Sequence, residues 1–426
     1  MTPPAAHRVT TAHLQAAYPF AAEGSLGARG TLIGRNLLGG SFCFDPWELY
    51  ARGVLTSPNI VVVGQIGRGK STFVKTLLWR QQAFGRQAWV VDPKGEYAPL
   101  AELCGSRPLR VSPGCGVRLN PLDAAPGGGA GSGSPERGAD RSDPSGRRQA
   151  ELLSSVAAAS LGRALTPPER TAVELAVRDV CAHDGRLPTL PSVVDALLDP
   201  AAPSAASVRT DREGLAADGR LVALELRRLV YGDLAGMFDG PTSPGIDLAA
   251  PLVVLDLSAL YASAALGILM TCATAWLQAA LAFAEGIKRL VVVDEAWAIL
   301  HDLATARWLQ ASFKLSRAFG VANVAVVHRL SDLRAAGASG SEQQRLAEGL
   351  LSDAETRVIF AQPPSEIGLA VELLGLTSTE AELLVHLPRG VALWKVAGRS
   401  FLVEHQVGDR EKPIVDTDAA MREPER

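Results

Sequence analysis

The chain is poor in aromatic residues, which make up 5% of its 426 positions, so a core has to be built mainly from Ala, Leu and Val. It also lacks a dominant charge. A formal net charge of −3 excludes a protein that coats nucleic acid through its overall field, although a local basic pore is compatible with it. The five cysteines, Cys43, Cys104, Cys115, Cys181 and Cys272, show no C-x-x-C spacing and are odd in number, which excludes a closed disulfide framework and fits reduced thiols. The seven histidines include no H-E-x-x-H spacing, so nothing points to zinc. No apolar run has the shape of a secretory signal in Met1–Ala22, and the longest one, near residues 260–284, is Ala-rich and broken by Tyr261, Ser263, Thr271, Thr274 and Gln278. It reads as a buried helix rather than a membrane span, and the chain as cytoplasmic.

What is present is an alternation of buried-strand and helix patterns. Residues 59–64 (NIVVVG) form a continuous β-branched run suited to a strand covered on both faces. A helix over 71–84 and a strand over 88–92 follow, which completes a βαβ unit. Shorter strands are expected near 30–34 and 41–45, and later ones at 251–256, 289–294, 322–327, 356–360 and 390–394, with a long helix from about 257 to 284. Between these sheet segments the composition changes twice. Residues 124–148 are Gly, Ser, Pro, Asp and Arg, which predicts a flexible insertion. Residues 149–240 carry helical periodicity at 151–160, at 167–183 after the start signal Thr166-Pro-Pro-Glu169, at 190–198 and at 219–230, with a low-order loop over 200–213. The expected division is a tail (1–29), a first sheet segment (30–123), the insertion (124–148), an all-helical subdomain (149–240), a second sheet segment (241–408) and a charged tail (409–426).

The chemistry is concentrated in two places. Gly64, Gln65, Ile66, Gly67, Arg68, Gly69, Lys70 and Ser71 match G-x-x-x-x-G-K-[ST] in full, between strand and helix. The glycines let successive backbone N–H groups turn inward around a phosphate, and the helix starting at Lys70-Ser71-Thr72 adds its dipole. Lys70 is expected to reach the β- and γ-phosphates of ATP and Ser71 to become a Mg2+ ligand. The second place is the end of the 289–294 strand, where Asp294 would hold Mg2+ and Glu295 would act as general base on the attacking water. Downstream, Arg317 reads either as a helix-surface charge or as a group reaching the γ-phosphate bound by a neighbouring subunit. His328 ends the next strand.

From about residue 30 to 407 the sequence resembles the HerA/FtsK superfamily of ring-forming ATPases, most closely the conjugation ATPases of type IV secretion systems (VirB/TraC-like). The resemblance rests on the P-loop, on residues 91–97 (VDPKGEY), on the Asn120-Pro121-Leu122 turn, on residues 232–240 (GDLAGMFDG) and on residues 294–297 (DEAW). It implies an α/β fold, a P-loop NTPase (RecA-like) sheet flanked by helices with the helical subdomain inserted. It also implies a homo-hexamer with ATP between subunits, working with membrane-embedded secretion proteins at the inner face of the cell membrane, with Arg317 as arginine finger. His328 stands where the family has a glutamine that senses the γ-phosphate. Only about 50 residues precede the P-loop strand, where family members carry a large N-terminal domain, so docking to a channel is expected to use a separate chain or to be lost. Three readings follow: a secretion-apparatus motor, a DNA-pumping translocase with DNA in its pore, and an ATP-binding assembly switch that scarcely hydrolyses.

Overall fold

The computed structural model describes residues 25–123, 144–182, 188–232, 234–244, 246–248, 250–261, 266, 269–270, 272, 287–300, 303–335 and 341–415. The chain divides into two compact units, one comprising Met1–Phe84, His328–Leu330 and Leu351–Arg426, the other Gly85–Val327 and Ser331–Leu350. The strands described are, in chain order, β1 (Thr31–Asn36), β2 (Ser41–Phe44), β3 (Ile60–Val63), β4 (Gln87–Asp92), β5 (Leu109–Arg110), β6 (Leu252–Asp256), β7 (Arg289–Val293), β8 (Val321–Val327), β9 (Thr356–Phe360), β10 (Val391–Val396) and β11 (Arg399–His405).

In the first unit the strand order is β2-β1-β11-β10-β9-β3. All pairings are antiparallel except β9 with β3, where Ile60 faces Thr356 and Val63 faces Ile359. β3 is buried at every position, as its unbroken β-branched run requires. The helix Lys70–Gln81 packs its Phe73, Val74, Leu77 and Leu78 inward. Here the scarce aromatics are concentrated: Phe42, Phe44 and Phe73 each lie with ring centroids 5.0–5.2 Å from Trp394. Edge-on ring packing thus replaces, locally, the aliphatic core that composition predicts.

Two polar fastenings tie this helix to the strands around it. The Arg80 guanidinium donates to Leu32 O (2.6 Å), Gln406 O (2.5 Å) and both carboxylate oxygens of Glu411 (2.6 Å each). Glu411 is 6% exposed, so the segment expected to begin a charged tail at 409 is anchored, and a helical turn Lys412–Val415 follows it. Residues 416–426 lie outside the described residues. The second fastening joins His405 Nε2 and Thr76 Oγ1 at 2.8 Å. Burial first, then the charge of Arg80, pushes the His405 imidazole down to about 4 from 6.5. Between those values the unfolded chain binds the extra proton, so this contribution is complete above pH 6.5 and is lost as pH falls towards 4. At pH 5 the loss is about 2 kcal/mol relative to pH 7. Urea titrations at both pH values should show that difference shrinking in His405→Asn.

In the second unit the order is β8-β7-β4-β6-β5, wholly parallel. β6, β7 and β8 are buried throughout, again matching their apolar runs. The helices Pro144–Leu161, Pro167–Ala182, Leu190–Leu198, Ala202–Ser207 and Arg212–Tyr231 lie within this unit. The start signal at Thr166 is a reciprocal cap: Thr166 N donates to Glu169 Oε2 (2.8 Å), while Glu169 N donates to Thr166 Oγ1 (3.5 Å). Arg163 holds the same carboxylate and draws Glu169 down to about 2.

Several expected boundaries move. Composition predicts an insertion over 124–148, yet the first helix after it starts at Pro144, because proline suits the first turn, where its missing N–H leaves no gap. Residues 124–143 lie outside the described residues, as does most of the long helix expected over 257–284. The low-order loop expected at 200–213 contains a helix, Ala202–Ser207, and the cap and first turn of the next. Asp211 Oδ1 accepts from Gly214 N at 2.7 Å, so polar residues that resemble a loop are an N-cap. The sequence pattern does not predict β11. Ala397 (φ 49°) and Gly398 (φ 79°) form its two-residue hairpin with β10, where alanine hides the usual turn signal.

Candidate functional site

The P-loop lies in the first unit. Gly64 follows β3 so close to β9 that an added Cβ would stand 2.5 Å from the Cβ of Phe360. Gly67 (φ 77°) and Gly69 (φ 112°) take up left-handed conformations that turn the loop into the helix. The loop is held at both ends: Gln65 N donates to Ala361 O (3.1 Å) and Gly390 N to Arg68 O (3.0 Å). Ile66 is exposed at its tip. Lys70 is 3% exposed, and its ammonium folds back on the loop, donating to Gly64 O and to Gln65 O (3.1 Å). The first turn of the helix carries no acidic residue, so nothing of its own opposes an anion there, and Ser71 and Thr72 stand half-buried beside it.

The acidic pair lies in the second unit. Asp294 follows β7, is 5% exposed, and donates through its N–H to Val91 O at 3.3 Å. Its Oδ1 accepts from Glu295 N (3.0 Å) and its Oδ2 from the hydroxyl of the fully buried Tyr97 (3.2 Å). Burial first, then the charges of Glu295 and Asp92, pushes the Asp294 carboxyl up to about 6. Glu295 is 1% exposed and has φ 52°, a left-handed backbone on a residue with a Cβ. Lys94 Nζ pairs with its Oε1 and Trp297 Nε1 donates to its Oε2. Burial works against the Lys94 ammonium, but the hydrogen bond and charge of Glu295 outweigh it and leave its pKa raised.

Lys94 and Tyr97 belong to the loop after β4, and Asp92 builds that loop. Its Oδ1 accepts from Lys94 N (3.1 Å) and Gly95 N (2.9 Å), and its Oδ2 from Tyr97 N (2.9 Å). Gly95 (φ 74°) packs where a Cβ would be 3.1 Å from Ser258 Oγ. In the sequence, residues 91–97 carry the family resemblance but give neither Lys94 nor Tyr97 a partner. Trp297, at the start of the helical turn Trp297–Leu300, donates its indole N–H to Glu295, a contact that the motif at 294–297 does not announce.

The remaining candidates stand at element ends. Arg317 is exposed and lies past the helix Leu303–Leu315 rather than on it, in a turn closed by Gly320 (φ 64°). His328 is half-buried directly after β8. The Asn120-Pro121-Leu122 turn serves the fold: Asn120 Nδ2 donates to Asp123 Oδ1 and Pro188 O (2.8 Å each), and Gln149 Nε2 donates to Leu122 O (2.6 Å), joining the sheet segment to the helices. The segment ending at Gly240 meets it, with Leu119 N donating to Met237 O (2.8 Å) and Arg118 paired with Asp239 (2.8 Å).

Each unit carries a hard oxygen donor of the kind magnesium takes, the Ser71 hydroxyl in the first and the Asp294 carboxylate in the second, and a nearby divalent cation would favour the charged form of Asp294 that burial first, and then the charges of Glu295 and Asp92, disfavour.

No family model and no curated protein matches the chain. Solved structures do. VirB4 of Thermoanaerobacter pseudethanolicus aligns at 21% identity over 92% of this chain and 100% of that one, with a TM-score of 0.73. The plasmid coupling protein TrwB in complex with ADP and Mg2+ aligns at 15% identity over 82% of this chain and 86% of its own, TM-score 0.54. TrwB with the non-hydrolysable ATP analogue ADPNP aligns at 16% over 91% and 97%, TM-score 0.53. A sheet flanked by helices, a glycine loop after β3 and an acidic pair after β7 thus sit in a chain that has the fold of VirB4 and of the coupling protein TrwB.

Proposed function

We propose that the protein hydrolyses ATP with Mg2+ and works as the hexameric motor of a conjugative or type IV secretion-like apparatus. The observation that carries this is the complete P-loop, with Lys70 buried at the start of a helix free of acidic residues, in a chain whose fold matches VirB4 over most of its length. The structures of TrwB with ADP and Mg2+ and with ADPNP support nucleotide and magnesium here.

In this reading the backbone N–H groups of residues 64–71 hold the phosphates, and Lys70 exchanges the loop carbonyls for β- and γ-phosphate oxygens. Ser71 and Asp294 would hold Mg2+, which would neutralise charge on the phosphates, and Glu295 orients and deprotonates the attacking water. Arg317, exposed beyond its helix, acts on the nucleotide of a neighbouring copy, and His328 donates to the γ-phosphate in place of glutamine. The helices between residues 144 and 231 are the part that moves with nucleotide. Among the described residues no helix is long and apolar enough to cross a membrane. As part of the secretion-apparatus reading, attachment at the inner face of the membrane is assigned to partner proteins.

The likeness to TrwB favours a second reading, a DNA-pumping translocase. Steady-state ATP hydrolysis with and without single- and double-stranded DNA separates the two. Turnover that changes less than about twofold is expected, whereas stimulation of tenfold or more, roughly 1.4 kcal/mol off the barrier, would establish the translocase.

A further inference from the structure

The helix Arg212–Tyr231 gives only one of its sides to the fold. Its Leu215, Val222, Leu226 and Leu229 are buried where it packs on the helices Pro167–Ala182 and Leu190–Leu198. At about 100° per residue, Ala217, Leu221, Leu224 and Tyr231 fall into one stripe on the opposite side. That stripe is open to solvent, with Leu221 55%, Leu224 47% and Tyr231 62% exposed. Single apolar side chains on a surface need no explanation, but a row of them marks a contact. Charges border the row and differ between its two edges. Arg220 and Arg227 line one edge, both exposed and in no ion pair among the described residues, with the Arg227 guanidinium 4.9 Å from the Tyr231 ring centroid. Asp218 and Glu225 line the other edge, where Glu225 accepts from Ser160 Oγ at 2.7 Å. Arg228 interrupts the row itself, exposed and 3.6 Å from Glu225. Apolar residues recurring at such spacings along a seam, with charges at its edges, are what one helix presents to another.

We propose that this face docks an amphipathic helix of a partner protein, one with apolar residues along its seam, acidic residues on one flank, basic residues on the other and an acidic residue opposite Arg228. The unlike edges select this occupant over others. A phosphate-bearing surface, lipid or nucleic acid, gains from Arg220 and Arg227 but brings the same negative charge against Asp218 and Glu225. A second copy in register sets Arg228 against Arg228 when parallel, and basic edge against basic edge when antiparallel. A helix with unlike flanks has one orientation in which both edges match, because reversing it exchanges the flanks. The row from Ala217 to Tyr231 is about 21 Å long, a contact at the small end for proteins, so the expected dissociation constant is about 10–100 µM. None of these residues belongs to the nucleotide site, so the inference stands apart from the ATPase reading.

The test titrates the whole chain into a fluorescein-labelled peptide of about three heptads, followed by anisotropy at low salt. The peptide carries Leu along its seam with one Glu opposite Arg228, Glu along one flank and Lys along the other. Two controls carry Glu on both flanks or Lys on both flanks. The mixed peptide is expected to bind about fivefold or more tightly than either control, and about tenfold more weakly to the double variant Leu221→Glu/Leu224→Glu. Arg220→Glu/Arg227→Glu makes both edges acidic and should shift the preference to the peptide with Lys on both flanks. All four side chains are exposed, and unchanged helical circular dichroism shows that each variant is folded. No binding of the mixed peptide at about 1 mM, three peptides bound alike, or binding undiminished in the leucine variant each overturns the proposal. If the peptide fails while phosphatidylglycerol vesicles, or a second copy in sedimentation, are held through the two leucines, the occupant is a lipid surface or this chain itself, and the proposal is likewise overturned.

Discussion

Glu295→Gln is expected to lower kcat for ATP by about 10²- to 10⁴-fold while leaving ATP affinity within about twofold. The amide has the size of the carboxylate and keeps an oxygen for the Trp297 indole, so the packing around a 1% exposed side chain survives. What disappears is the ability to accept a proton. Lys94 loses its ion pair, but its side chain is partly exposed and can be solvated, so no buried charge is stranded. Single-turnover hydrolysis and equilibrium binding of a fluorescent ATP analogue measure the two effects separately. Turnover close to wild type in the glutamine variant would move the base to another residue.

The largest stability effect is expected at Asp92. Asp92→Ala removes the acceptor of three backbone N–H groups, those of Lys94, Gly95 and Tyr97, in a place where Asp92 is fully buried. Each N–H left without a partner costs about 1–3 kcal/mol, and partial access of water to the loop reduces the sum to about 3–5 kcal/mol. Desolvation raises the Asp92 pKa against the pull of these same backbone bonds, so the N–H groups stabilise the charged carboxylate. Asp92→Asn keeps one carbonyl oxygen and should lose roughly half as much. Urea unfolding followed by circular dichroism measures both. A loss below about 1 kcal/mol in the alanine variant would mean that the loop is held by other contacts.

How far the sequence carried the reading depends on whether a feature is local. The P-loop was legible because its chemistry is a fixed spacing of small residues before Lys70 and Ser71, and the buried strands because parallel pairing leaves no polar face to interrupt β3, β6, β7 and β8. The cap at Thr166 was legible for the same reason, since both partners lie within one turn. What escaped was set by distant partners or by an unusual residue in a common role. Tyr97 and Lys94 reach Asp294 and Glu295 only because β4 and β7 are neighbours in register, Val91 beside Val293. The hairpin before β11 hid behind Ala397, and the helix from Arg212 behind a polar cap that resembles a loop. Arg80 and Glu411 meet across most of the chain's length, which no local pattern announces.

The claim on which the rest depends is that Lys70 and its loop hold ATP for hydrolysis. Steady-state phosphate release by purified wild-type protein and by Lys70→Ala, each in MgATP and again with excess EDTA, tests it directly. Magnesium-dependent turnover in the wild type that falls by at least about a hundredfold in Lys70→Ala is the predicted result. Equal turnover in the two proteins, or ATP binding by the wild type with no hydrolysis, would contradict it.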